Sequence, residues 1–84
     1  MQIDANLLAV GREIARRRTA KRMSQERLAE LAGLHRNYVG LVERGQRNPT
    51  LKTLFAIAEA LDSTLTELFA DVPRSRRSAA REAG

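Results

Sequence analysis

Between Gln25 and Arg44, two short stretches of helical apolar spacing meet at a single glycine, Gly33. Two helices joined by so tight a turn can pack at a steep angle only under three conditions. The first helix needs a small residue at the crossing, and the turn needs a residue tolerant of positive φ. The second helix needs an apolar inner face and a polar outer one. Ala29 meets the first condition and Gly33 the second, while Leu28, Ala32, Leu34, Val39 and Val42 supply a shared core.

The rest of the chain has the same periodicity. Apolar residues recur at three- and four-residue spacing, and no useful run alternates as a strand would. An all-α chain of five helices is expected. Helix 1 runs from about Ala5 to Ala20 behind Asp4 as N-cap, with Leu7, Val10, Gly11, Ile14 and Arg18 on one face. Helix 2 follows Ser24 as N-cap, with Met23 and Leu28 placed as a hydrophobic staple and Leu28, Leu31 and Ala32 facing inward. Helix 3 starts near Arg36, with His35 at its N-cap place, and ends by Arg44; Val39 and Val42 face inward. After a polar loop, helix 4 opens at Thr50 and buries Leu54, Ile57, Ala58 and Leu61. Helix 5 opens at Thr64 with the capping box Thr64-Leu65-Thr66-Glu67. Residues 1–72 form the expected domain, and residues 73–84 read by composition as a flexible basic tail.

Composition narrows the function classes. Hydrophobic residues make up 43% of the 84, enough for one small globular domain. Cysteine is absent and there is one histidine, His35, so neither a disulfide nor a metal site is expected. No apolar run reaches membrane-spanning length, and Met1-Gln2-Ile3-Asp4 does not read as a secretion signal, so a cytoplasmic protein without membrane association is expected. Nothing assembles an activated nucleophile or a phosphate-binding glycine loop; no enzyme, cofactor or ligand pocket is expected. The net charge is +5, of which the tail, through Arg74, Arg76, Arg77 and Arg81 against one glutamate, carries +3. The folded part is thus only mildly basic, and the tail arginines either add sequence-independent polyanion affinity or simply solubilise the end.

The outer face of helix 3 is His35, Arg36, Asn37, Gly40, Leu41 and Arg44. Arg36 and Asn37 stand at its N-terminal end, the end that enters a major groove. Arginine pairs bidentately with guanine and asparagine with adenine, so these two are the candidate base readers. Arg44, Gln46 and Arg47 follow where they can grip phosphates.

Gln25-Glu26-Arg27-Leu28-Ala29-Glu30-Leu31-Ala32-Gly33-Leu34, then Tyr38-Val39-Gly40-Leu41-Val42-Glu43-Arg44-Gly45 and Arg47-Asn48-Pro49-Thr50-Leu51, resemble the lambda-repressor/Cro (XRE) family of helix-turn-helix regulators over about residues 7–70. The short length and the Arg-Asn-Tyr-Val…Glu-Arg-Gly…Arg-Asn-Pro run resemble most the restriction–modification controller proteins. The resemblance implies a five-helix domain that binds a pseudo-palindromic operator on double-stranded DNA as a dimer. It implies that Gln25 touches the phosphate backbone and that Arg36 and Asn37 read bases. Leu41 stands where the family often has a polar residue, and meets either a thymine methyl or the core. Tyr38 is expected to pack beneath helix 3, core packing being its main part, with its hydroxyl toward a phosphate as the functional one. Arg18 and Glu43 take the places of a partly buried ion pair, and Arg22 replaces the family's usual glycine.

One recognition helix reads only a few base pairs, so a homodimer reading two half-sites is expected. Leu65, Leu68, Phe69 and Val72 around helix 5, with Leu51 and Phe55 on helix 4, offer more apolar surface than a short terminal helix can hide. They are the expected interface, in part or whole, against the alternative that they close the monomer's own core. Bound upstream of a promoter such a protein recruits RNA polymerase; bound over it, the protein blocks polymerase. Two rivals are a phage-type repressor or an antitoxin repressing its own operon. A third is a protein-interaction module without DNA binding.

Overall fold

The computed structural model describes residues 4–73. The tail arginines assigned above therefore lie outside the described residues. Five helices follow one another: α1 (Ala5–Ala20), α2 (Gln25–Ala32), α3 (Arg36–Glu43), α4 (Leu51–Ala60) and α5 (Leu65–Leu68). Among the described residues there is no strand.

Each helix begins where a side chain satisfies its orphan amides. Asp4 accepts from the Asn6 and Leu7 amides, Ser24 from Arg27, and Thr50 from Thr53. At α5 the capping box closes in both directions between Thr64 and Glu67. Met23 packs against the core, as a staple to Leu28 requires.

The four longer helices all end the same way. A residue one or two past each end takes a left-handed conformation: Arg22 (φ 57°), Gly33 (φ 70°), Gly45 (φ 72°) and Asp62 (φ 54°). The next amide reaches back five positions, as in Leu34 N–H to Ala29 O at 2.8 Å and Met23 N–H to Arg18 O at 3.1 Å. This double bond pattern satisfies the last carbonyls. Glycine takes the conformation without strain; Arg22 and Asp62 take it against the steric preference of an L side chain. The left-handed turn at Asp62 has no counterpart in the sequence reading.

The core runs through every helix: Ile14, Leu28, Val39, Ile57, Leu61 and Leu68 are fully enclosed. Helix α2 packs on α3 and α4, and α1 packs on α3 and α5. Gly11 allows α1 to cross the end of α3 closely, since a Cβ there would stand 2.3 Å from the Val42 carbonyl oxygen.

Three expectations are corrected by packing. Leu31, expected inward, is 46% exposed. It stands about 160° round α2 from the buried Ala29, at the rim of the groove against Ala56 and Ala60 of α4. Gly40, expected on the outer face, is buried. Having no side chain, it lies under those of Arg44 and Gln25, whose nearest atoms would stand 3.2 and 3.6 Å from a Cβ. Leu68, expected at a dimer interface, is fully enclosed in the chain's own core and has no surface to offer a partner.

Candidate nucleic-acid interface

The geometry of the α2–α3 unit is held by one carboxylate. Glu43, at the last turn of α3, accepts from Arg18 Nε at 2.6 Å and Nη2 at 3.1 Å, and from Gln25 Nε2 at 2.8 Å. The Arg18 guanidinium also donates from Nη1 to the Met23 carbonyl at 2.8 Å. These side chains are withdrawn from solvent, 17% exposed for Arg18 and 5% for Glu43, and every charge-bearing atom finds a partner. A buried pair so satisfied orients elements more than it stabilises them, and stranding either charge is costly. Here it joins α1, the start of α2 and the end of α3.

The start of α3 is presented to solvent. His35 caps it through Nδ1, which accepts from the Asn37 amide at 3.1 Å, so the Asn37 side chain is not the one closing the helix. Arg36 and Asn37 are both exposed. Arg36 Nη1 lies 3.6 Å from Glu26 Oε2 in the first turn of α2. Leu41 and Tyr38 are half-buried, and Tyr38 packs against the core.

At the other end of α3, Arg44 Nε donates to Gln46 Oε1 at 3.2 Å, and both side chains are exposed on the same rim. Arg47 is exposed too. The structure thus brings Gln25, Arg36, Asn37, Arg44 and Gln46 to one unit of α2, α3 and the following turn. Gln25 spends one of its two amide N–H donors on Glu43.

Leu51, Phe55 and Phe69 are exposed to 59%, 58% and 37%, whereas Leu65 and Val72 pack partly against the core. Beside Phe69 and Val72 opens an apolar cavity of about 220 Å³, reaching Leu7, Val10 and Leu54 with Arg47 at its edge. No such pocket was expected from the sequence. Its lining comes from both ends of the described chain and from the stretch between Val42 and Leu54, and no local pattern joins them.

One buried charge was missed by the sequence reading. Glu13, on α1, is enclosed beneath Arg16 and Arg17, both of which donate to it. The Arg16 hydrogen bond, aided by Arg17, holds this carboxyl below the ordinary glutamate value against the opposing effect of burial. Arg17 continues to Ser63 Oγ at 3.2 Å and Glu67 at 3.5 Å, tying α1 to α5. The signal was present as Glu13 with arginines three and four residues on.

Among the described residues, no helix is long and apolar enough to cross a membrane. Residues 14–68 match the helix-turn-helix family HTH_3. The control protein C.SmaI of Serratia marcescens is 51% identical over 51 residues, 61% of this chain and 61% of that protein's length. An HTH-type transcriptional regulator, y4dJ, of Sinorhizobium fredii is 41% identical over 70% of this chain and 77% of its own. In structure, the restriction-modification controller protein C.AhdI of Aeromonas hydrophila matches with a TM-score of 0.77 at 52% identity, covering 79% of this chain and all of that one. These relatives are regulators and controller proteins, not enzymes. By its five-helix fold, its motif and these matches, the chain belongs to the HTH_3 helix-turn-helix family of transcriptional regulators, among relatives of the restriction–modification controller proteins.

Proposed function

We propose that the chain binds a pseudo-palindromic DNA operator as a homodimer and regulates its own promoter together with a restriction–modification gene pair. The observation that carries the reading is the exposed start of α3, where Arg36 and Asn37 project from a helix capped by His35 rather than by either of them. Arg36 reads a guanine edge, Asn37 an adenine, and Leu41 packs against a thymine methyl. Gln25, Tyr38, Arg44, Gln46 and Arg47 approach phosphates and fix the register. Dimerisation uses the exposed apolar residues Leu51, Phe55 and Phe69, with Leu65 and Val72 contributing their remaining surface. Two recognition helices then face half-sites about 34 Å apart. The protein acts in the cytoplasm, and the sign of its effect follows from whether it meets RNA polymerase beside the promoter or occludes it.

Iterative selection of random-sequence duplexes tests this. A twofold-symmetric site with half-sites one turn apart supports the reading. Arg36→Ala then relaxes specificity at one position per half-site, at a cost of about 1–3 kcal/mol. Enrichment of no sequence, with only weak salt-sensitive binding, overturns it.

A further inference from the structure

Arg36 already has a partner. Its Nη1 lies 3.6 Å from Oε2 of Glu26, and both side chains are well exposed, 66% and 77%. They flank a cleft at the start of α2, lined also by Arg18, Ser24 and Gln25. The neighbouring carboxylates are occupied elsewhere: Glu43 holds Arg18 and Gln25, and Glu30 pairs with Arg27. Glu26 is therefore the carboxylate left facing the guanidinium assigned to base reading. An exposed pair of this kind contributes little to folding stability. A carboxylate on a DNA-facing surface also weakens attraction to every duplex, because it cancels a cation that would displace counterions. Its effect on discrimination is different.

We propose that Glu26 is a specificity-determining residue, whose carboxylate keeps Arg36 off the phosphate backbone and releases part of its fork only to a guanine edge; this rests on the DNA-reading function proposed above. At 3.6 Å Glu26 is an anionic partner at ion-pair rather than hydrogen-bond distance, so exchanging it for a phosphate oxygen replaces one anion near Arg36 by another and gains little net attraction. Guanine offers O6 and N7 together in fixed geometry. The guanidinium carries five N–H donors, so two can serve the base while Nη1 stays on Glu26. The carboxylate then orients the arginine in the operator complex and withholds it from non-operator DNA. Glu26 also stands in the first turn of α2, where a negative charge suits the helix dipole.

The test is a set of fluorescence-anisotropy titrations of the full chain against its selected operator and a scrambled duplex of equal length. With Glu26→Gln, the scrambled duplex binds on the order of fivefold more tightly, while operator affinity changes by less than about twofold, so discrimination falls. In an Arg36→Ala background, Glu26→Gln alters both duplexes by one common factor. The proposal is overturned if Glu26→Gln tightens operator and scrambled duplex equally while Arg36 is present, for Glu26 is then only a repelling charge. If the unsubstituted chain fails to distinguish the two duplexes, the DNA-reading function itself falls, and the role of Glu26 with it.

Discussion

Arg22 and Gly11 show how single positions set limits on the whole chain. At φ 57° Arg22 is held in the left-handed region by the helix ending it completes. The strain on a non-glycine residue there is about 1–2 kcal/mol, and glycine's greater freedom in the unfolded chain offsets part of any relief. Arg22→Gly is therefore expected to stabilise the protein by about 0.5–1 kcal/mol, read as a raised midpoint in thermal or urea unfolding. Gly11 carries the opposite constraint. A Cβ at Gly11 meets the backbone of Val42 and Glu43 at 2.3 and 2.7 Å, and neither can swing aside as a side-chain tip would. Gly11→Ala is expected to cost about 3 kcal/mol, with the midpoint of urea unfolding falling accordingly. Arg22 was marked by the family resemblance, and Gly11 by its place on the inward face of α1. The left-handed turn at Asp62 was not marked, because aspartate is compatible with several backbone conformations and only the packed neighbours select one.

The elements are joined by polar side chains as well as by the core. Arg18 and Glu43 join α1 to α3, while Glu13, Arg17, Ser63 and Glu67 join α1 to α5. Glu67 is held below the ordinary glutamate value chiefly by the Thr64 amide it accepts from, and Glu13 by Arg16. A carboxyl with a depressed folded-state value binds its proton more readily when unfolded. Its contribution is whole above the unfolded-chain value of roughly 4.3 and is lost as pH falls through the lower folded value. Thermal melts stepped from neutral pH into the acid range should show stability falling below that point. Glu13→Gln should flatten part of the fall; an unchanged acid limb would detach Glu13 from it.

Across the molecule, three of the exposed large apolar residues, Leu51, Phe55 and Phe69, lie on α4 and just past α5, and a fourth, Leu31, lies on α2. Phe55 is 58% exposed, so Phe55→Asp should leave the fold intact. If the proposed homodimer joins through this face, the variant should sediment as a monomer where the unsubstituted chain sediments as a dimer, and should bind the operator more weakly, because two half-sites are then no longer engaged by one particle. A variant that still sediments as the unsubstituted protein does would place the joint elsewhere. Arg36, Asn37, Arg44, Gln46 and Arg47 are all legible in the sequence, the first two as polar residues opening a short second helix and the others as polar residues at its end and in the loop that follows. The pairing of Arg36 with Glu26 was not legible. It joins two helices across their turn, and no spacing rule within one helix describes it.

Local order alone predicts the five helices, their N-caps, the tight turn at Gly33 and, Gly40 apart, the outer face of α3. Each depends on residues within one or two turns of one another: an oxygen three positions before an amide, an apolar residue every third or fourth place, a glycine past a helix end. Which apolar residues are buried follows from how the helices pack. Leu68 and Phe69 are neighbours of similar character, yet one is fully enclosed and the other 37% exposed. Leu31 is turned to the rim, Gly40 is covered and Glu13 is sealed beneath two arginines. The physical reason is the same in each case. Burial depends on which surfaces meet where helices cross, and the chain brings those surfaces together from positions far apart in its order.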